Sequence, residues 1–287
     1  MIFGLFVCGL LSGVTTWLFG FGGGFVTVPL LYLLLSHQGT VGGQAMQIAV
    51  ATSALVMLCT SLLASGRHLR AGTVHWRSLL PILSGIAIGG IAGASLALRV
   101  NGEWIRWLFI LYLAVTIVDC YVRPGFMAPS TACAPSSAGR ETILGGGIGL
   151  IAAFLGVGGS VMTVPLMRRR GATMAQAAAM ANLLTLPLAA TASLTWLLMA
   201  PMAALPSGFI GNIWWLAAGL LVAGSWLGLR GASRWLAKLP DRWHVRIYPL
   251  LLLLVLLAMC FGGGGLKALA DHAPVIFFIH ALAGLYY

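Results

Sequence analysis

The chain has 287 residues, of which 60% are hydrophobic and only 7% are charged. A water-soluble domain carries roughly 25% charged residues, so this composition excludes a soluble protein and indicates an integral membrane protein. The net charge of +11 does not indicate nucleic-acid binding, because the Lys and Arg residues stand in short loops between apolar segments, where they act as topology signals.

Apolar segments of about 20 residues follow one another along the chain, and this is the length that a membrane-spanning helix needs. They are too long, and alternate too little, to be the strands of an outer-membrane barrel. We therefore expect an all-α polytopic membrane protein. The predicted segments are 2–35, 45–66, 78–98, 104–122, 143–167, 174–199, 213–229 and 247–266, followed by a short apolar tail at 273–287.

The first segment contains a glycine-rich motif that the fifth segment repeats. At a constant offset of 136 residues (145 − 9), nine positions of 9–31 are identical to positions of 145–167. The shared residues are mostly glycine and proline, which control the shape of the backbone. They are Gly9, Gly13, Gly20, Gly22, Gly23, Thr27, Val28, Pro29 and Leu30, with Gly145, Gly149, Gly156, Gly158, Gly159, Thr163, Val164, Pro165 and Leu166.

Such a repetition indicates a duplicated chain. We divide it into a first repeat at 1–123, a linker at 124–140 that is rich in Pro, Ser and Ala, and a second repeat at 141–287. A linker of this composition is expected to be a loop.

The basic residues indicate how often each motif segment crosses the membrane, since cytoplasmic loops are enriched in Lys and Arg. If each motif segment crossed once, basic loop 67–77 would lie inside and basic loops 168–170 and 230–246 outside. If each is a hairpin that enters and leaves on one side, these loops all fall inside, and the uncharged loops 36–44 and 200–212 fall outside. The charges therefore predict two inverted repeats, each a broken re-entrant helix hairpin plus three transmembrane helices.

Each hairpin turns at a glycine-rich break inside an apolar segment. In a membrane, the backbone groups freed by a break must be satisfied by protein or by a polar cavity. The helices that restart after the breaks present positive N-terminal ends, which bind anions. The alternative is that the glycines serve only close helix packing. The expected substrate-binding residues at the breaks are Gly20, Gly22, Gly23, Gly24 and Thr27 in the first repeat, and Gly156, Gly158, Gly159, Ser160 and Thr163 in the second.

Side-chain donors on the helix after each hairpin complete the expected site. They are Gln47, Thr52 and Ser53 in the first repeat and Asn182 in the second. For Ser and Thr, the alternative is a hydrogen bond to the backbone of their own helix. None of the five acidic residues stands in the middle of a span, so we expect no carboxylate proton relay. A site with several donors and no acid fits an anion.

Motifs for catalysis or for a bound cofactor are missing. The sequence has no HExxH, no GxSxG and no phosphate-binding loop, and its glycine runs lack the setting of a dinucleotide site. The five cysteines show no CxxC or Cys/His spacing. We therefore expect no enzyme, no metal and no cofactor. The first residues lack a positive n-region and a clean cleavage site, so we expect them to be mature protein rather than a signal peptide.

The motif pair GFGGGFVTVPLL (20–31) and GVGGSVMTVPLM (156–167) resembles the TauE/SafE sulfite exporter family, also called the toluene-sulfonate uptake permease family. The elements Ala51-Thr52-Ser53 and 72–76 also fit, and the resemblance spans residues 4 to 265. It implies export or uptake of sulfite, sulfonates or other organosulfur anions across the bacterial inner membrane. The second repeat departs from the first, with Ala181-Asn182-Leu183 as the counterpart of Ala51-Thr52-Ser53 and Ser160 in place of the third glycine.

We therefore expect a multi-pass secondary transporter of the bacterial inner membrane that moves such an anion by alternating access. The expected partners are a small anionic solute, membrane lipid and a second copy of the chain in a homodimer, but no nucleic acid. The alternatives are a passive anion channel and a membrane assembly or scaffold protein without transport activity.

Overall fold

The computed structural model describes residues 2–38, 42–70, 76–122, 137–199, 208–235 and 240–261. Most of the predicted linker, parts of several predicted loops, residues 72–75 and the predicted tail at 273–287 lie outside these ranges.

The described residues form ten α-helices, one 3₁₀ helix and one two-stranded antiparallel hairpin. The helices are α1 (Ile2–Phe19), α2 (Gly24–Gln38), α3 (Ala45–Arg70), α4 (Trp76–Ala97), α5 (Gly102–Val122), α6 (Ala138–Leu155), α7 (Ser160–Arg169), α8 (Met174–Met199), α9 (Trp215–Trp235) and α10 (Asp241–Phe261). The 3₁₀ helix is Gly42–Gln44, and the strands are β1 (Phe209–Ile210) and β2 (Ile213–Trp214).

Eight of these helices are long and apolar enough to cross a membrane. The other two, α2 with 15 residues and α7 with 10 residues, are shorter than the roughly 20 residues that a span requires. The predicted segments 2–35 and 143–167 are therefore each divided into one long and one short helix. The chain is an all-α, multi-pass membrane protein, as its composition predicts.

Helices α3 and α8 pack against each other at the centre of the bundle. Of their apolar windows, 67% and 61% are buried by protein, compared with 33–44% for the other six candidate spans. A helix enclosed by protein can carry polar side chains that lipid would exclude. The central pair is therefore where the polar groups of this apolar chain can be accommodated.

Two outer helix pairs, α1 with α9 and α4 with α6, surround this centre. Glycine allows their close approach. A side chain at Gly13 of α1 would overlap the backbone of Ser225 in α9, and one at Gly149 of α6 would overlap the backbone of Ile86 in α4. Small residues at a helix crossing let two backbones meet in this way. Each pair joins a helix of the first repeat to one of the second, so the repeats share one core.

The hairpin of β1 and β2 stands where the sequence predicts a loop at 200–212. Gly211 has a φ of 54° at the first position of the two-residue connection, where a type II′ turn places glycine. The N–H of Trp214 donates to Thr52 Oγ1 at 3.0 Å. The hairpin is thus tied to α3 by a contact distant in sequence, which local patterns do not predict.

Helix α6 begins at Ala138, inside the predicted linker at 124–140. The side chain of Ser137 caps it by accepting a hydrogen bond from the N–H of Arg140, and Glu141 stands in its first turn. A capping serine and an early acid both stabilise a helix start, so the helix extends to the last polar residue that can cap it.

Candidate functional site

The first glycine break, residues 20–23, connects α1 to α2. Gly20, Gly22 and Gly23 have φ values of 71°, 61° and 90°. This left-handed region costs other residues about 1–2 kcal/mol each, so glycine is required by the backbone. The sequence-based expectation that the helix is broken here is confirmed.

The second break, residues 156–159, connects α6 to α7 with a different backbone. Gly156 ends α6 with a φ of 69° and donates to the carbonyls of Ala152 and Ala153. Gly159 has ordinary helical angles, with φ −57° and ψ −8°, and no side chain caps α7 there. Of the three glycines at this break, only Gly156 has a positive φ.

The two breaks lie against each other. A Cβ built on Gly158 would be 2.7 Å from the carbonyl oxygen of Phe21, and one built on Gly24 would be 2.9 Å from the carbonyl oxygen of Gly156. No side chain larger than hydrogen fits at this crossing. Close packing, the alternative to a solute site in the sequence, is therefore one role of these glycines.

Each break also packs on the central helix of the opposite repeat. A side chain at Gly20 would overlap the backbone of Ala178 in α8, and one at Gly156 would come within 2.8 Å of Cα of Val50 in α3. Ser53 of α3 donates to the carbonyl of Gly156 at 2.7 Å. The two repeats therefore contact one another in a reciprocal manner at the breaks.

These contacts correct the sequence-based pairing of Ala51-Thr52-Ser53 with Ala181-Asn182-Leu183. Val50 and Ser53 contact the second break where Ala178 and Ala181 contact the first. The offset is thus 128 residues (178 − 50 and 181 − 53), not the 130 that the sequence pairing implies. The reason is local, because α7 has 10 residues where α2 has 15.

Hydroxyl groups satisfy the carbonyl oxygens of the breaks. Ser12 Oγ donates to the carbonyl of Gly23 at 3.1 Å, and the hydroxyl of Thr60 donates to that of Gly22. Ser53 does the same for Gly156. Sequence reasoning missed Ser12 and Thr60, although both are hydroxyl residues within otherwise apolar helices.

Three polar atoms of this region are buried without a hydrogen-bond partner among the described residues. They are Ser61 Oγ, Thr163 Oγ1 and Asn182 Oδ1. Ser61 lies beside the first break, 2.9 Å from a Cβ built on Gly22. An unsatisfied buried polar group costs about 1–3 kcal/mol, so these groups provide capacity for binding a polar solute.

The other predicted site residues divide into two groups. Asn182 Nδ2 donates to the carbonyl of Thr16 at 3.2 Å, close to the first break. Thr27 Oγ1 donates to its own helix at Gly24, and Ser160 Oγ lies 3.5 Å from the carbonyl of Gly158. All three are buried and belong to the region of the breaks.

Gln47 and Thr52 instead bind other elements. Gln47 Nε2 donates to the carbonyl of Val100 at 2.9 Å, in the connection between α4 and α5. Thr52 Oγ1 accepts from β2. The structure does not bring the polar atoms of these two side chains to the breaks, although Thr52 is adjacent to Ser53 in sequence.

Three consecutive arginines at the end of α7 each pair with an acid on a different helix. We call Arg168, Arg169 and Arg170 with these partners the arginine cluster. Arg168 pairs with Asp241 of α10 at 3.0 Å, Arg169 with Asp119 of α5, and Arg170 with Glu141 of α6 at 2.7 Å. The sequence analysis took these arginines only as topology signals.

The arginine cluster also fixes the relation of α6 to α7. Because Arg170 follows the last turn of α7 and Glu141 stands in the first turn of α6, their ion pair places both helix termini at one end of the bundle. Three of the five acids in the whole chain pair with this triplet. The scarcity of acids elsewhere was the signal from which this role could have been inferred.

Neutralising Asp241 should destabilise the protein more than neutralising Glu103. The guanidinium of Arg168 is fully buried beside Asp241, whereas Glu103 is 61% exposed and 3.8 Å from Arg106. We expect Asp241→Asn to lower the free energy of unfolding by about 1–3 kcal/mol and Glu103→Gln by less than about 1 kcal/mol. Thermal unfolding followed by tryptophan fluorescence in detergent measures both, and equal losses would contradict the prediction.

Comparisons with known proteins agree with a membrane transporter. The family model described as sulfite exporter TauE/SafE matches residues 5–259. The chain is similar to the probable membrane transporter protein YunE of Bacillus subtilis, with 26% identity over 88% of this chain and 94% of that protein. A probable membrane transporter protein of Haemophilus influenzae is 30% identical over 59% of this chain and 63% of its own length. One of Methanocaldococcus jannaschii is 23% identical over 57% and 60%.

No solved structure matches the chain. The family model, by contrast, covers nearly the whole sequence and includes both glycine breaks and all ten described helices except parts of the first and last. The protein therefore belongs to the sulfite exporter TauE/SafE family.

Proposed function

We propose that the protein is a secondary transporter that moves sulfite, a sulfonate or a related small organosulfur anion across the bacterial inner membrane by alternating access. The observation that carries this proposal is the direct contact of the two glycine breaks. Two breaks in one buried place give a membrane protein a polar centre that neither repeat could form alone.

The chemistry around the breaks favours an anion. Hydroxyl donors already occupy the carbonyl oxygens of Gly22, Gly23 and Gly156. The groups that stay available are the Thr163 hydroxyl and the uncapped start of α7, and a helix start carries partial positive charge. The four acids in the described ranges stand in the terminal turns of α5, α6 and α10, so no carboxylate of this set lies at the breaks.

The proposed architecture is a pair of inverted repeats, each with a re-entrant hairpin. It is supported by the reciprocal packing of the breaks on α3 and α8 and of α1 on α9 and α6 on α4. It is also supported by the ion pair that joins the two ends of the α6–α7 hairpin. In this arrangement one hairpin enters from each side of the membrane, and their tips meet.

The inverted arrangement predicts opposite exposure of two glutamines. Gln44 and Gln176 are both exposed and stand near the starts of α3 and α8. In a variant without native cysteines, we expect Gln44→Cys to react with an impermeant maleimide from the periplasmic side. Gln176→Cys should react only after the membrane is permeabilised. Labelling of both from one side would contradict the inverted repeats while leaving a transport function open.

The break region is buried in this conformation, as a site in an alternating-access protein must be at one stage of its cycle. The arginine cluster joins α5, α6, α7 and α10 at one end, and we propose that it holds this end closed. The interior-negative potential favours anion export by about 2.3 kcal/mol per charge for each 100 mV. Homodimer formation stays a prediction.

Counterflow tests the proposed function. Purified protein in liposomes preloaded with unlabelled sulfite should take up external labelled sulfite faster than the same liposomes preloaded with chloride. A carrier shows this acceleration because the returning solute reorients the site. Protein-free liposomes are the control. Conductance without acceleration would indicate the passive channel, and the absence of any flux of sulfite, taurine or toluenesulfonate would indicate a protein without this transport function.

A further inference from the structure

A groove of about 790 Å³ lies between α5 and the α6–α7 hairpin. Its walls are almost entirely apolar and include Leu108 and Val115 of α5, Leu150 of α6 and Pro165 of α7. Leu108, Val115 and Leu150 are also exposed on the outer surface of the protein. Since α5 and α6 are membrane-spanning helices, the medium at the open side of the groove is lipid hydrocarbon.

The groove has the depth of one lipid leaflet. Along α5 it extends from Leu108 to Asp119, which at 1.5 Å per residue is about 16 Å. Half of a hydrocarbon core of about 30 Å is about 15 Å. The groove therefore begins near the middle of the membrane and ends at the polar edge, which is the path of a single acyl chain.

This opening is not a requirement of the fold, because the first repeat fills the corresponding place. An aromatic cluster closes the space between the first hairpin and α10, with Phe21 and Phe25 stacked at 4.4 Å and Phe19 at 5.7 Å from Tyr248. At the repeat offset of 136 residues, the counterparts of Phe19 and Phe25 are Leu155 and Val161. Both of these smaller residues line the groove.

The polar end of the groove carries one charge of each sign. Asp119 and Arg169 pair there, and their side chains are 26% and 24% exposed. An anionic headgroup would meet the Arg169 guanidinium but also the Asp119 carboxylate. A zwitterionic headgroup can place its phosphate at Arg169 and its ammonium at Asp119, so both charges are matched.

We propose that this groove binds one acyl chain of a zwitterionic phospholipid of the ethanolamine type, whose headgroup is held by Arg169 and Asp119. The lipid fills the space that aromatic side chains fill in the first repeat and joins α5 to the α6–α7 hairpin. This site is separate from the glycine breaks and does not depend on the solute that the protein carries.

Native mass spectrometry of the purified full chain tests this site with phosphatidylethanolamine and phosphatidylglycerol added in equal amounts. The wild type should retain phosphatidylethanolamine in preference by roughly fivefold, the factor that corresponds to about 1 kcal/mol for one matched charge at a membrane surface. Gly147→Trp should reduce this retention by roughly the same factor or more, because Gly147 lines the groove and a Cβ there meets no atom within 4 Å.

Gly219→Trp is the matched control, since Gly219 is also exposed, on α9, and also has no neighbour within 4 Å of a built Cβ. It should leave lipid retention unchanged. Val115→Trp, on the α5 wall, is a second groove-filling variant in case Gly147→Trp does not fold. Asp119→Asn should abolish the preference between the two lipids.

Three outcomes would overturn the proposal. Equal retention in the groove-filling variants and the control would show that the lipid binds elsewhere. A preference for phosphatidylglycerol would show that the headgroup assignment is wrong. A dimer in the wild type that only the groove-filling variants disrupt would show that a second copy of the chain occupies the groove.

Discussion

Gly156→Ala should strongly reduce transport and destabilise the protein, whereas Gly159→Ala should do neither. The left-handed backbone of Gly156 costs alanine about 1–2 kcal/mol, and its methyl group would stand 2.8 Å from Cα of Val50. Overpacking against a backbone adds about 1–3 kcal/mol. We therefore expect a loss of about 2–5 kcal/mol of unfolding free energy and at least a tenfold loss of sulfite counterflow.

Gly159 is the matched control, because it has helical angles and a methyl group there meets first Cγ2 of Ile148 at 3.2 Å. A side-chain methyl can move by a few tenths of an ångström, and the backbone of α3 cannot without shifting the helix. Comparable loss in both variants would show that the break tolerates no methyl group for reasons other than backbone strain. Normal stability and counterflow in Gly156→Ala would remove the second break from the proposed site.

Gly228→Leu should prevent the protein from folding, while Gly231→Leu, three residues further along α9, should be tolerated. A side chain at Gly228 would overlap the carbonyl oxygen of Leu10 in α1, whereas a Cβ at Gly231 meets no atom within 4 Å. Separation of α1 from α9 would remove the packing of two whole helices, which in lipid is the main source of helix association. We expect a loss of more than about 4 kcal/mol, above the range of ordinary substitutions.

Membrane-inserted yield and the midpoint of thermal unfolding measure this difference. Both variants add the same side chain to the same helix, so hydrophobicity and helix propensity are matched. If Gly231→Leu fails to the same degree, the cause is the added bulk in α9 and not its crossing with α1. A folded Gly228→Leu protein would mean that α1 and α9 can separate without loss of the bundle.

Much of the fold was predictable because membrane physics limits the choices. Composition and segment length gave the helical class, and glycine within apolar runs gave both breaks. Gly20 and Gly156 were identified because the positive φ that they adopt is one that few other residues tolerate. These inferences depend on local backbone properties, which a single sequence records.

Contacts distant in sequence were not predictable. Thr52 and Ser53 are neighbours in the chain, yet Ser53 binds the second break and Thr52 binds β2. Gln47 binds the connection after α4. One sequence contains no information on such partners, and the helix lengths that decide them, such as the 10 residues of α7, have uncertain ends in any periodicity argument. The arginine cluster was missed for the same reason.

The crossing of α1 with α9 has a consequence for biosynthesis. Helix α1 ends at residue 19 and α9 begins at residue 215, so roughly 200 residues of translation separate the two. At about 5–20 residues per second this interval lasts about 10–40 s. During that time the glycine face of α1 contacts lipid or insertion factors instead of its final neighbour. The core of this protein can therefore be completed only after nearly the whole chain has entered the membrane, and the order of insertion differs from the order of assembly.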